Sequence, residues 1–146
     1  MAITSAICNS FKQDILEAEH NFTASTGNTF NLALYDSDAS LGAGTTAYSS
    51  SEEITNTSGT AYSAKGKALT SVTPTLDSST AVCDFADISW TSASFTARGC
   101  LIFNDSHATD ASVCAIDFGG DKTATSGTFT IQFPAAAAST AIIRIA

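Results

Sequence analysis

Apolar residues near the start of the chain recur at the spacing of one helical face: Ile7, Phe11, Ile15 and Ala18. Polar residues fill most of the positions between them. The pattern predicts one amphipathic helix over residues 4–20. A helix with a single apolar stripe packs on something, and we expect that to be its own sheet or a neighbouring subunit.

Alternation between apolar and polar residues dominates the chain after residue 27. Residues 29–35 alternate cleanly, as do residues 128–133, so both stretches predict half-buried strands. Residues 141–145 are almost wholly apolar, and we expect this last strand at the sheet centre or against a neighbour, because a bare edge would aggregate. Further runs at 67–76, 81–90, 93–103 and 112–118 bring the total to about seven or eight strands.

Turn-forming residues separate these runs. The Gly-Gly-Asp sequence at 119–121 predicts a turn. Pro74 indicates an edge strand or a bulge, because proline has no N–H for the ladder. Residues 36–56 are rich in Ser, Thr, Gly and acids and indicate a long loop. The chain is therefore predicted to be one mainly β domain, residues 1–146, with an antiparallel β-sandwich or jelly-roll-like fold over residues 28–146 and one N-terminal α-helix.

Charge narrows the choice of partners. The chain has 14 acidic and 6 basic residues, a net charge of −8, and nearly half of its residues are Ser, Thr or Ala. A basic stripe marks nucleic-acid binding, and six scattered cations cannot form one. An anionic membrane surface is disfavoured for the same reason. The first residues lack a basic region followed by an apolar one, so no signal peptide is expected.

Catalytic chemistry has few candidates. Both histidines have simpler explanations: His20 falls at the predicted helix end, where a cation complements the dipole, and His107 falls in a polar, exposed loop. Glu52 and Glu53 are interpreted as a solvated pair in a mobile loop. No nucleophile motif, phosphate loop or zinc signature occurs. We expect a protein that is not an enzyme and that uses no cofactor or metal.

The cysteines fit no metal-binding spacing. Reduced thiols acting as small buried apolar residues are the preferred interpretation. A disulfide between Cys100 and Cys114, facing each other across a hairpin, is the alternative. The four residues are Cys8, Cys83, Cys100 and Cys114.

Two loops keep a ligand-binding alternative open. Asp36 and Asp38 could supply hard oxygen ligands to Ca²⁺, although Asx-turns explain them equally well. Tyr48 and Tyr62 lie in loop-like sequence and could form a platform for sugar rings. Trp90 follows an alternating run and is expected to be a core or interface anchor.

Four stretches of the chain resemble a group of small structural proteins of tailed bacteriophages of aquatic bacteria. They are MAITSAICNSFKQDILEAEHNF, TFNLALYDSDASLG, SWTSASFTARGCLIFN, and DFGGDKTATSGTFTIQFP with the ending AIIRIA. The resemblance spans essentially the whole chain and carries no catalytic motif. It implies a virion protein that is assembled in the host cytoplasm.

Within a virion, the leading hypothesis is a capsid decoration (cement) protein that bridges and stabilises neighbouring subunits of the major capsid protein. Such proteins are commonly trimeric, so a homo-oligomer, with a trimer favoured, is expected. The alternatives are a tail-fibre or tail-tip module that binds host glycans, and a ring subunit of the tail tube or head completion. The predicted contact residues are the helix stripe and the final strand: Ile7, Phe11, Ile15, Ile142, Ile143 and Ile145.

Overall fold

Two antiparallel sheets and one short helix form the part of the chain that the computed structural model describes, residues 2–54 and 61–146. The predicted mainly β class is confirmed, with 49% strand and 6% helix. The elements are β1 (Ala6–Ile7), α1 (Asn9–Leu16), β2 (Phe30–Tyr35), β3 (Lys67–Ala68), β4 (Ser71–Asp77), β5 (Thr80–Phe85), β6 (Ile88–Asn104), β7 (Ser112–Ile131) and β8 (Ile143–Ile145).

The larger sheet has five strands in the order β1-β7-β6-β2-β3, and the smaller has three in the order β4-β5-β8. Aromatic rings connect the two sheets. Phe85 of β5 lies 6.1 Å from Phe30 of β2 and 5.5 Å from Phe133, which follows β7 (centroid distances). Apolar packing across this junction joins the two sheets, as in a β-sandwich.

The core lies where β2, β6 and β7 run side by side. Leu34, Leu101 and Ile102 are fully buried there. Leu101 and Ile102 are consecutive and point to opposite faces, so both faces of the sheet are covered at this point. Trp90 is also buried, as its place in an alternating run indicated. The predicted strand at 29–35 is confirmed as β2.

The helix is shorter than predicted. It begins at Asn9 rather than near residue 4, because Ala6 and Ile7 form a strand that pairs with β7. It ends at Leu16, and Ala18 takes a left-handed conformation with φ of 62°, which cannot continue a helix. The apolar spacing alone could not reveal that the first part of the stripe had a β partner.

The predicted turn at 119–121 is wrong, because β7 runs through it without a break. Gly119 does take a positive φ of 74°, but the conformation makes a bulge. Ala97 pairs with Lys122 and Gly99 with Asp117, so four residues of β7 lie opposite Arg98 alone. The run expected at 112–118 and residues 128–131 of the run expected at 128–133 are thus parts of one strand, which ends at Ile131.

Pro74 lies in β4, an edge strand whose register shifts between Val72 and Thr75, as the missing N–H predicted. The expected central position of the last strand is wrong, because β8 is at the edge of the three-stranded sheet, and Ile145 is 55% exposed. Contact of this strand with a neighbouring molecule stays a prediction.

Candidate functional site

A buried carboxylate lies beneath the loop that follows β2. Glu53 is only 6% exposed, which corrects the expectation of a solvated pair with Glu52. The Tyr48 hydroxyl donates to Glu53 Oε2 at 2.5 Å, and the Tyr62 hydroxyl donates to Oε1 at 2.6 Å. Tyr62 in turn accepts a hydrogen bond from the Leu34 N–H at 2.9 Å. Each oxygen of the buried carboxyl group therefore has a hydrogen-bond partner within the chain, as burial of a polar group requires.

Both tyrosines of this network remain protonated near neutral pH. Burial, reinforced by the bond to Glu53, raises the pKa of Tyr62 far above its usual range and that of Tyr48 to about 12. Tyr62 is fully buried, and the half-buried Tyr48 ring stacks on Phe103 at 4.8 Å. Tyr62 therefore cannot be the exposed sugar platform that its loop-like sequence suggested.

Three carboxylates meet at the surface near this network. Oxygen atoms of Asp36, Asp38 and Glu52 all lie within 4.8 Å of one another. Asp38 and Glu52 also line a crevice of about 650 Å³ that reaches the N-terminal residues Ala2 and Thr4. Oxygen ligands of this kind could hold a divalent cation, and solvated carboxylates also adopt such arrangements. The sequence pointed to the two aspartates, but Glu52 comes from a distant part of the loop.

His20 is buried rather than placed as a cation at the helix end. Asn104 Nδ2 donates to His20 Nδ1 at 3.1 Å, so the ring carries its proton on Nε2, 3.5 Å from Asp14 Oδ2. Burial lowers the pKa of His20, against the opposing effect of Asp14. The ring is therefore neutral at pH 7. His107 is half-buried, with its Nε2 3.5 Å from Glu19 Oε2.

All four cysteines are free thiols. Cys100 pairs in register with Ile116, and Cys114 with Ile102, so the two sulfurs are diagonal across the hairpin and form no disulfide. Burial raises the pKa of each thiol, to about 12 for Cys114 and about 11 for the half-buried Cys83. Thiols this weakly acidic are poor nucleophiles, which suits a packing role.

The predicted contact residues divide into two groups. Phe11 is buried in the chain's own core, and Ile7 and Ile15 are half-buried against it, so the helix stripe is occupied internally. Ile143 is buried as well, and Ile142 is half-buried. Of the six, Ile145 is the one with a largely exposed side chain.

An exposed apolar row crosses the three-stranded sheet. Leu76 pairs with Ala81, and Ala81 pairs with Ile145, so the three side chains share one face. Leu76 is 72% exposed and Val72, on the same edge strand, is 44% exposed. Three of the four exposed large apolar residues among those described thus lie on this sheet; the fourth is Leu16. We call Leu76, Ala81 and Ile145 the apolar row.

A second apolar surface follows the outer edge of β7. A groove of about 720 Å³ opens there, and the rings of Phe118, Phe129 and Phe133 contribute to its lining together with Ile142. We call it the β7 groove. Sequence alone could not locate it, because the predicted turn at 119–121 divided the strand that forms it.

Among the described residues, no helix has the length and apolar character needed to cross a membrane. No family model, curated protein or solved structure matches this chain.

Proposed function

We propose that the chain is a non-catalytic structural protein of a tailed-bacteriophage virion, where it serves as a capsid decoration protein that bridges neighbouring subunits of the major capsid protein. The apolar row is the observation that carries this proposal. Exposed apolar side chains gathered on one sheet are typical of a surface that contacts another protein. The resemblance of the sequence to phage structural proteins supports the virion as the setting.

The expected strength of such a contact suits a repeated unit. Burying a Leu or Ile side chain contributes roughly 1.5–3 kcal/mol, so a patch dominated by Leu76 and Ile145 binds weakly by itself. Copies that engage two neighbours at once, or that associate with one another, gain affinity through multivalency. A homo-oligomer would present several apolar rows to the shell.

The polar interior also favours a structural role. The most unusual polar groups of the described chain, the Glu53 carboxylate and the His20 imidazole, hydrogen-bond to its own side chains. Catalysis needs such groups to face a substrate. Here the hydroxyls of Tyr48 and Tyr62 each donate to one oxygen of Glu53. These hydrogen bonds hold the loop residues in place.

Shell binding tests the proposal. Purified chain is mixed with capsids that lack it, and the bound fraction is measured after sedimentation. We expect saturable binding that Leu76→Asp weakens strongly, since a charge in the apolar row must be desolvated on contact. Leu16→Asp is the matched control, because Leu16 is 88% exposed but belongs to the helix and not to the three-stranded sheet. Wild-type chain that does not sediment with the shells contradicts the proposal.

The crevice beside Asp38 and Glu52 supports a second candidate, a glycan-binding module at the tail tip. Carboxylates are common partners of sugar hydroxyls. The crevice has a volume of about 650 Å³ and is lined mostly by residues of the loop that follows β2. Screening on a glycan array tests it. Binding that Asp38→Asn abolishes, while Glu17→Gln on the helix leaves it unchanged, would favour adsorption over decoration.

A further inference from the structure

The outer edge of β7 has a strand partner over only a small part of its length. β1 pairs with it at Cys114 and Ala115, and the Ser5 hydroxyl accepts a hydrogen bond from the Asp117 N–H at 2.9 Å. Beyond that point, over residues 118–131, no strand in the described chain pairs with this edge. Unpaired backbone donors and acceptors along an edge are a template for another strand.

The β7 groove lies along this open edge. Its lining includes consecutive residues of β7 from Lys122 to Ile131 except Ser126, and it continues to Pro134. Consecutive residues of a strand point to opposite faces, so a groove that touches nearly all of them runs beside the edge of the ribbon rather than over one face. An extended strand has the shape that such a groove accepts.

Charge identifies the occupant. Lys122 is the one charged residue that lines the β7 groove, and residues 123–133 contain no charge at all. The whole chain carries a net charge of −8, so most approaches of one copy to another are repulsive. Along the uncharged run two copies meet without that penalty. Edge strands that must stay unpaired are usually guarded by charges, which this run lacks.

We propose that a second copy of the chain fills the β7 groove, with the two β7 edges pairing antiparallel about a two-fold axis near Thr128, the middle of the uncharged run. The pairing joins the two five-stranded sheets into one. Bulges at Gly119 and Ser126 bend the strand, and its regular ladder with β6 at residues 129–131 lies close to the axis. This inference goes beyond the proposed function and does not depend on a virion partner.

Analytical ultracentrifugation of the full chain tests the pairing. We expect a concentration-dependent species of twice the 15.0 kDa chain mass. Thr128→Glu places two carboxylates near the axis and should raise the dimer dissociation constant by about tenfold at low salt, and less at high salt. Thr75→Glu adds the same charge to an exposed position of β4, in the other sheet, and should leave the constant unchanged.

Mixing two variants gives a stricter check. Thr128→Lys should also weaken self-association, and an equimolar mixture of the Lys and Glu variants should restore it as a heterodimer.

Hydrogen exchange supplies a readout on the unaltered protein: amides in residues 127–133 should become protected as the concentration rises. A monomer at every concentration, a trimer, or a dimer indifferent to both Thr128 changes overturns the pairing. A monomer that still binds shells would leave the proposed function intact.

Discussion

The β6–β7 hairpin is one pair of hydrogen-bonded strands whose two halves differ in burial. The near half adjoins the connecting loop, and the far half comprises residues 88–98 and 118–131. Near its loop, residues 112–115 of β7 are buried, because β1 flanks them on one side and β6, backed by β2, on the other. In the far half, residues 121–126 of β7 are exposed apart from the half-buried Ala124. Burial in this protein is therefore set by which neighbours a strand acquires, and the far half acquires fewer.

One face of the far half is nevertheless apolar and packed with aromatic rings. The rings of Trp90, Phe95 and Phe129 pack on one another at centroid distances of 5.0 to 6.4 Å. The opposite face carries hydroxyl pairs, such as Thr96 with Thr123 at 2.7 Å. A ribbon with an apolar face, a polar face and an open edge is suited to contact with another chain.

Truncating a buried side chain should give the largest difference in unfolding free energy between the two halves. Leu101→Ala, in the near half, removes a fully buried side chain and should lower the free energy of unfolding by about 2–5 kcal/mol. Ile131→Ala, at the half-buried end of the far half, should cost less than half of that amount. Urea denaturation followed by circular dichroism measures both. Equal losses would show that the far half is as tightly packed as the near half.

Two glycines of the hairpin provide a backbone version of this test. A Cβ at Gly99 would lie 2.5 Å from the Ile116 carbonyl oxygen, so Gly99→Ala should cost about 1–3 kcal/mol through backbone displacement. Nothing lies within 4 Å of a Cβ at Gly120 in the far half. Gly120→Ala should change stability by no more than about 0.5 kcal/mol. Thermal melting of both variants checks the contrast, which similar melting temperatures would refute.

The buried carboxylate extends the comparison to the loop beside the near half. Tyr62→Phe leaves Glu53 Oε1 and the Leu34 N–H without their shared partner, and should cost about 1–3 kcal/mol. Tyr48→Phe should cost less, because Tyr48 is half-buried and water can replace its hydroxyl. Denaturant midpoints of the two variants decide the order. A larger loss at Tyr48 would mean that the network does not depend on burial.

Any change in the free energy of unfolding that comes from histidine titration should arise outside the far half, because residues 88–98 and 118–131 contain no histidine. Burial lowers the pKa of His20 in the folded chain, whereas in the unfolded chain it titrates near 6.5. Stability should therefore fall as pH drops through about 6.5, and level off below the lowered folded value. Unfolding free energies between pH 7.5 and 5 measure this fall, which His20→Gln should reduce.

Much of the fold follows from local pattern. The alternation at residues 29–35 and the proline at position 74 each predicted what the structure shows, because side-chain alternation and a missing N–H act locally. The turn at 119–121 failed for a physical reason: a positive φ at Gly119 serves a bulge as well as a turn. Only the long-range pairing with β6 decides between them.

The candidate surfaces were harder to foresee. Glu53 resembles its solvated neighbour Glu52 in sequence, and its burial depends on Tyr62, which lies across the loop. The helix stripe matched the expected spacing, but Phe11 packs inside the chain rather than on a partner. Exposure of Leu76 and Ile145 arises from the position of β4 and β8 at the edges of a small sheet, which no periodicity encodes.

Copy number in purified virions tests the central claim most directly. If the chain decorates the capsid, quantitative mass spectrometry should find it in amounts comparable to the major capsid protein, with the apolar row protected from solvent exchange in the intact particle. A few copies per particle, or none, would contradict a decoration role.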